Sequence, residues 1–176
     1  YILALRDICK YDDGIGITYS ASVSLGASPI DVFGTPEQKE KYLRPVAEGK
    51  TLAAFALTEP NAGTDAASQL TVAEKVGDEY IINGSKMFIT NAGPADVYVI
   101  FAMTDKSQGT KGISAFIIEK GMPGFTFGPE EHKMGIHTSI TRELIFKDLH
   151  VPAANLLGQE GKGFILAMHA LDGGRI

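Results

Sequence analysis

The chain of 176 residues carries a net charge of −5 and has a pI near 5.3. This length can bury a sizeable core, and the acidic balance, without any run of Lys and Arg, excludes the basic surface typical of nucleic-acid-binding proteins. The single cysteine, Cys9, excludes an internal disulfide framework and suits a reducing compartment, and we expect it to be a small buried residue on a helix. No apolar run has the length of a membrane-spanning helix.

Residues 1–50 are predicted to be helical. Apolar side chains recur at helical spacing within Ile2–Cys9, and the nearly uncharged run 15–27 is typical of a helix that is buried on most sides. Pro29 is expected to end that helix, because proline lacks the N–H that a helix interior requires.

A further helix is predicted to begin at Thr35. Thr35 is a good N-cap, Pro36 suits the first helical position, and Gln38 has the spacing of a capping box. Helical periodicity returns after the glycine-rich joint that ends at Gly163.

The hydrophobic period changes from helical to alternating at Leu52, which predicts strands. Gly77-Asp78 and Asn83-Gly84 are predicted to be tight turns between strands. Short strands with turn signals and no intervening helices favour an antiparallel barrel or sandwich. The predicted strands cover residues 52–58, 70–76, 79–82, 86–90, 96–103, 113–118, 125–127 and 142–146.

The predicted fold class is therefore α+β with several domains. We expect the end of an N-terminal helical domain over residues 1–50, a complete middle β domain over 51–158, and the start of a C-terminal helical bundle over 159–176. Both ends resemble cuts within helices, so the chain is interpreted as a fragment of a longer polypeptide.

The stretch Phe55–Asp65 begins as an apolar strand and stops before Pro60, which cannot continue a central strand. The small residues that follow can direct several backbone N–H groups at one point, as an anionic ligand requires. An ordinary strand-to-loop turn remains an alternative.

A second polar strand end lies at residues 88–90. If the two ends are neighbours, Thr58, Thr90 and Phe88 surround one pocket that suits a flat, redox-active heteroaromatic. The alternative is that Phe88 belongs to the core and the threonines simply favour β structure.

Several segments, taken together, resemble the acyl-CoA dehydrogenase family, and short-chain, butyryl-CoA-type members in particular. The first is FALTEPNAGTD at Phe55–Asp65, and the second is NGSKMFITN at Asn83–Asn91, where many members have tryptophan in place of Phe88. The others follow in the expected order: GISAF at 112–116, KMGI at 133–136, Val151-Pro152, NLLG at 155–158 and LDGGR at 171–175.

The resemblance implies FAD bound between the middle β domain and a C-terminal helical bundle, in a homotetramer. It also implies an acyl-CoA substrate and electron transfer flavoprotein as the electron acceptor. By motif position, Thr64, Asp172 and Arg175 would contact the substrate. The residues implied to bind FAD are Phe55, Leu57, Thr58, Gly63, Thr64, Phe88, Ile89 and Thr90.

The implied reaction is α,β-dehydrogenation of a short-chain acyl-CoA thioester to a trans-2-enoyl-CoA. The family's catalytic base is a glutamate of the C-terminal bundle, so we expect no catalytic residue within this chain. Glu59 and Glu143 do not match the base, and Glu59 is expected to organise its own loop. A same-fold oxidase that uses oxygen, or a non-catalytic β-rich binding module, remain alternatives.

Four scattered histidines lack metal-ligand spacing, so no metal site is predicted. They are His132, His137, His150 and His169. The resemblance implies localisation in the bacterial cytoplasm or the mitochondrial matrix.

Overall fold

The computed structural model describes residues 1–174. The helices are α1 (Ile2–Cys9), α2 (Asp13–Ser20), α3 (Ser28–Phe33), α4 (Pro36–Gln38), α5 (Arg44–Ala47) and α6 (Gly163–Gly174). π-helical segments at Ala21–Ala27 and Lys39–Leu43 join α2 to α3 and α4 to α5, and short 3₁₀ turns occupy Lys106–Gly112 and Ala153–Asn155.

The helical region confirms the predicted start at Thr35. The Gln38 N–H donates to Thr35 Oγ1 at 3.2 Å, and the Thr35 N–H donates to Gln38 Oε1 at 3.1 Å, which completes the capping box. The Gln38 amide also donates to the carbonyls of Ala154 and Leu156 at 2.8 and 2.9 Å. This one side chain therefore joins the helices to the strands.

Two expectations for this region were wrong. Pro29 does not end the helix, which continues to Phe33. The π-helical turn before Pro29 shifts the hydrogen-bond partners, so the proline enters at the start of a new α-helical segment, where it is tolerated. Cys9 is exposed, because α1 buries none of its residues in the described part of the chain.

Eight strands form one sheet in the order β6-β7-β3-β2-β4-β5-β8, with β1 paired to β4 outside this path. Their bounds are β1 (Ala53–Ala56), β2 (Val72–Val76), β3 (Glu79–Thr90), β4 (Val97–Met103), β5 (Ile113–Glu119), β6 (Phe125–Glu130), β7 (Thr141–Pro152) and β8 (Leu156–Leu157). The strand predicted at residues 96–103 is confirmed as β4, all seven residues of which are buried. The strand predicted at residues 125–127 is confirmed as β6, which lies at one end of the strand order.

The expectation of a purely antiparallel barrel or sandwich was wrong in its strand pairing. β1 runs parallel to β4 over four residue pairs, and β2 meets β4 in parallel at Val72 and Met103. The sheet is mixed, and its strand order does not close within residues 1–174. The physical reason is the long excursion between β1 and β4, which contains the β2–β3 hairpin and lets the chain return in the same direction.

Asn83-Gly84 was also mispredicted as a turn, since β3 runs straight through it. The pairing with β7 shifts register between Ile82 and Gly84, and the extra residue of this bulge lies on β7, where Asp148 has a φ of 48°. Gly84 is needed in β3 because a Cβ at this position would lie 2.6 Å from Thr71 Oγ1. Asn83 Oδ1 accepts the Asp148 N–H at 2.8 Å, which joins β3 to the bulge.

The two faces of the sheet belong to different apolar clusters. Along β4, Tyr98 and Ile100 face an inner cluster, whereas Val99 and Phe101 face an outer cluster shared with the helices. In the inner cluster Tyr80 of β3 contacts Phe116 of β5 at a ring distance of 4.9 Å, although these strands are not neighbours in the sheet. The sheet is therefore bent so that its two halves pack against each other.

The outer face is in very close contact with the π-helical segment Ala21–Ala27. A Cβ at Gly26 would lie 2.7 Å from Ala53 Cβ, so only glycine fits. The Ala53 N–H donates to Ser22 Oγ at 3.0 Å, which holds the helix onto β1.

Candidate cofactor site

A cavity of about 590 Å³ lies where the outer face of the sheet meets the helices. All eight residues that the motifs predicted to bind FAD line this one cavity: Phe55, Leu57, Thr58, Gly63, Thr64, Phe88, Ile89 and Thr90. The remaining lining residues are Ala21, Leu25, Asp65, Ala66, Ala67, Phe164, Met168 and Leu171. The structure therefore brings together two segments that are more than 20 residues apart in the sequence.

The two motif segments are joined directly by a backbone hydrogen bond. The Met87 N–H of β3 donates to the Thr58 carbonyl at 2.8 Å. Phe55 is fixed from the other side, because its ring contacts Phe101 of the central strand at 5.0 Å. Thr58 and Phe88 are thereby held at the rim of the same cavity.

Phe88 has an unusual backbone and an unusual exposure. Its φ of 58° lies in the left-handed region, and 63% of the residue is exposed. The β3–β7 register shifts between Lys86 and Ile89, so this residue lies in a second bulge that turns the ring away from the core. A non-glycine residue in this conformation costs about 1–2 kcal/mol, and such strain is typical of ligand sites.

Polar donors without protein partners surround the cavity. No hydrogen bond to the described residues is made by the hydroxyls of Thr58, Thr64 and Thr90, nor by the N–H groups of residues 63–66. Asp65 is turned inward to its own loop, where its carboxylate accepts the Ser68 hydroxyl and the Ala67 N–H. An exposed aromatic beside free hydroxyls and amides fits a flat heteroaromatic with an anionic tail.

A buried ion pair lies directly behind the lining. Lys86 Nζ is 2.7 Å from Glu59 Oε1, and both side chains are essentially inaccessible to solvent. Burial lowers the pKa of Lys86 to about 8, an effect that the Glu59 charge partly offsets. Burial alone would raise the pKa of Glu59, but the charge of Lys86 and several hydrogen bonds keep that pKa below its ordinary value.

The expectation that Glu59 organises its own loop is confirmed. Its carboxylate accepts the N–H groups of Leu70 and Thr71, and its backbone exchanges two hydrogen bonds with Ala62. The sequence interpretation missed Lys86, although the pattern contained a signal. Along β3 the side chain of Lys86 alternates in step with those of Tyr80 and Ile82, so it lies on the buried side of the strand. A lysine on that side requires a buried partner.

The three residues predicted to contact the substrate differ in their position relative to the cavity. Thr64 lines the cavity, whereas Asp172 is exposed on α6 and does not line it, although its neighbour Leu171 does. Arg175 lies outside the described residues. The helical residues Ala21 and Leu25 were not predicted, because no local pattern relates a helix to a strand that far away.

The other residues considered for a chemical role lie away from the cavity. Glu143 contributes to a separate surface depression beside β7, and His150 Nδ1 pairs with Glu79 Oε1 at 2.8 Å. Across residues 1–174, no group of three or more His, Cys, Asp or Glu side chains has the arrangement of a metal site. None of the helices described here combines the length and apolarity needed to cross a membrane.

Comparison with known families gives two successive matches along the chain. Residues 1–50 match the family described as "Acyl-CoA dehydrogenase, N-terminal domain", and residues 54–149 match "Acyl-CoA dehydrogenase, middle domain".

Individual relatives agree with the family match. The short-chain-specific acyl-CoA dehydrogenase of Megasphaera elsdenii is 63% identical over the full chain, and the solved structure of butyryl-CoA dehydrogenase from the same organism has a TM-score of 0.98 over 99% of it. A chain in a structure described as the electron transferring flavoprotein of Acidaminococcus fermentans is 67% identical over 99% of the chain, with a TM-score of 0.98. The present chain spans 46% of each of these relatives.

Proposed function

The chain belongs to the acyl-CoA dehydrogenase family of oxidoreductases, and on that premise we propose that it forms the FAD-contacting half of a short-chain acyl-CoA dehydrogenase. The observation that carries the proposal is the convergence of all eight motif residues on one cavity beside the strained, exposed Phe88. Structures of relatives described as complexes with FAD support the choice of cofactor.

The proposed roles follow from the donors around the cavity. Phe88 stacks on the flavin ring, and the hydroxyls of Thr58 and Thr90 donate to its edge. The free N–H groups of Gly63 and Thr64 bind the diphosphate, because no lysine or arginine lines this cavity among the described residues. Thr64 also contacts the CoA end of the substrate, and Asp172 and Arg175 are proposed to contribute to the same contact.

The proposed reaction removes the α-proton and the β-hydrogen of an acyl-CoA and leaves a trans-2-enoyl-CoA. FAD, when bound, accepts the β-hydrogen and the two electrons. The carboxylate that takes the α-proton is supplied by the C-terminal helical domain, outside this chain. The residues of this chain bind and orient the cofactor, and donate hydrogen bonds where negative charge develops.

The whole enzyme is proposed to be a homotetramer with a domain division at 1–50, 51–158 and 159–176. Electron transfer flavoprotein is proposed as its electron acceptor, as the Acidaminococcus fermentans relative supports. Bacterial relatives and a mouse mitochondrial one, 43% identical over the full chain, support the bacterial cytoplasm or the mitochondrial matrix as the compartment.

An oxidase is the second candidate, because the prolyl acyl carrier protein oxidase AnaB is 41% identical over 93% of the chain with a TM-score of 0.89. In that case electrons pass to oxygen rather than to a protein acceptor. The residues of the cavity serve both reactions equally.

The test uses the full-length protein. Anaerobic addition of butyryl-CoA is expected to bleach the flavin absorbance within one turnover, and longer acyl-CoA thioesters are expected to bleach it more slowly. Thr90→Val is expected to slow bleaching about 10–100-fold, because it removes one donor to the reacting ring. Thr126→Val, on the exposed face of β6, is the matched control and should have no effect.

Two outcomes would contradict the proposal. Absence of bound flavin in the full-length protein would remove the cofactor assignment. Rapid hydrogen peroxide formation in air, at the rate of substrate oxidation, would replace the dehydrogenase with the oxidase.

A further inference from the structure

Residues 63–67 of the loop 60–69 line the cavity. Three buried side chains, Lys86, Glu59 and Gln69, join the two ends of this loop and are called the neck below. Lys86 Nζ donates to the Leu57 carbonyl at 3.2 Å, to Glu59 Oε1 at 2.7 Å and to Gln69 Oε1 at 2.9 Å. The loop 60–69 follows Glu59, a short distance after β1 ends at Ala56, and it ends at Gln69, shortly before β2 begins at Val72. One ammonium group therefore holds both ends of this loop together.

Glu59 completes the closure from the opposite side. Its Oε2 accepts the Leu70 N–H at 2.6 Å, and its Oε1 accepts the Thr71 N–H at 3.2 Å. The carboxylate at the start of the loop thus binds the backbone where the loop ends. The three bonds of the Lys86 ammonium are shielded from water, because Lys86, Glu59 and Gln69 are all buried.

Beyond the neck, the loop is supported mainly by its own hydrogen bonds. Asp65 accepts the Ser68 hydroxyl, and Asn61 Nδ2 donates to the Ser68 carbonyl at 2.8 Å. Gly63 and Thr64 are exposed and make no hydrogen bond to the sheet within the described residues. Their position relative to the cavity is consequently set at the neck.

The same neck is coupled to the bulge that carries Phe88. Lys86 and Phe88 are separated by one residue, Met87, whose N–H donates to the Thr58 carbonyl at 2.8 Å. A movement of Lys86 would therefore displace Thr58 and Phe88 together. A buried ion pair is costly to desolvate, and apolar replacement of such a pair is often neutral for stability. Its presence here consequently points to positioning rather than to stability.

We propose that Lys86 and Glu59 are positioning residues, which fix the 60–69 loop and the Phe88 bulge in the geometry that binds the cofactor. The inference rests on the proposed function for the identity of the ligand, because FAD is the ligand whose binding is expected to change. The geometry of the neck itself is independent of that ligand.

The decisive variant replaces both charges in the full-length protein, as Lys86→Met with Glu59→Gln. This removes both charges and the three Lys86 hydrogen bonds without leaving an unpaired buried charge, so the protein is expected to fold. Amide hydrogen exchange of Ala62, Ser68 and Met87, whose N–H groups are hydrogen-bonded in the loop or to Thr58, is expected to accelerate about tenfold or more in the cofactor-free protein. The Kd for FAD is expected to rise about tenfold or more, with a loss of fine structure in the flavin spectrum.

Two controls separate positioning from general destabilisation. Leu149→Ala weakens the inner cluster without touching the neck, and should leave exchange at Ala62, Ser68 and Met87 unchanged under native conditions. Lys41→Met with Glu119→Gln removes a pair of similar length, 2.7 Å, that is partly exposed and away from the cavity, and should alter neither exchange nor Kd.

The outcomes are distinguishable. Wild-type exchange and wild-type Kd in a folded double variant would overturn the proposal. If the double variant does not fold, Gln69→Met removes one of the three Lys86 contacts together with the bond from Gln69 Nε2 to the Ala66 carbonyl. It is expected to give a smaller acceleration, about two- to fivefold, and no acceleration would equally overturn the proposal. If wild-type protein binds no FAD, the proposed function fails, while the exchange measurement still decides whether the pair positions the loop.

Discussion

On the inner face of the sheet Tyr80 packs against Phe116 and Tyr98 packs against Phe125, and all four rings are buried. At the cavity, by contrast, Phe88 has 63% of its surface exposed. The inner rings lie in regular strands, but Phe88 lies in a bulge with a left-handed backbone. The same residue type thus contributes stability in one place and opposes it in the other. The difference locates the functional face of the sheet without reference to any ligand.

The largest loss of stability is expected from a cavity in the inner cluster. Phe116→Ala should lower the free energy of unfolding of the cofactor-free full-length protein by about 3–5 kcal/mol, because it leaves a cavity against Tyr80. Urea denaturation followed by circular dichroism measures this loss. A loss below about 1 kcal/mol would show that the two halves of the sheet do not depend on this contact.

The second largest effect is expected at the buried ion pair of Lys86 and Glu59, behind the cavity. Glu59→Gln should cost about 3–5 kcal/mol near pH 6, because it leaves the charge of Lys86 buried without its counter-charge. The pKa of Lys86, about 8 with Glu59 present, should then fall further below its ordinary value of 10.5.

That shift gives the variant a characteristic pH dependence. Between the folded and unfolded pKa values the unfolded chain binds more protons, so the free energy of unfolding rises with pH. This rise begins at lower pH in Glu59→Gln than in wild type. The difference in free energy of unfolding between the two proteins should therefore narrow from pH 6 to pH 9. Urea denaturation at these two pH values checks this prediction, and a constant difference would mean that the pKa of Lys86 does not fall further when Glu59 is replaced.

The smallest effect is expected at Phe88, and it has the opposite sign. Phe88→Gly and Phe88→Ala both remove the ring, but only glycine adopts a φ of 58° without strain. The glycine variant should therefore be more stable than the alanine variant by about 1 kcal/mol, while both bind FAD more weakly than wild type. Equal stability of the two variants in urea would contradict the assignment of backbone strain.

The sequence was most informative where one local rule decided the structure. The uninterrupted apolar run predicted β4, and Thr35 with Gln38 predicted a helix start, since burial and capping act within a few residues. The motif residues of the cavity could be named in advance because the two segments resemble a known family.

The sequence was misleading where a distant contact overrode the local preference. Asn83-Gly84 has the composition of a turn, yet Thr71 lies so close that the glycine is required within a strand. Neither the parallel pairing of β1 with β4 nor the contribution of Ala21 and Leu25 to the cavity has a local signal. Each depends on where the chain returns after a long excursion.

The close approach of Gly26 to Ala53 has a consequence for the shape of the cavity. Leu25 lines the cavity from the helical side and Phe55 lines it from the strand side, and each is a near neighbour in sequence of one residue of that contact. The width of the cavity is therefore set by two small residues that do not line it. A single added methyl group at Gly26 would separate the helical wall from the strand wall and widen the opening, even though every lining side chain would be unchanged.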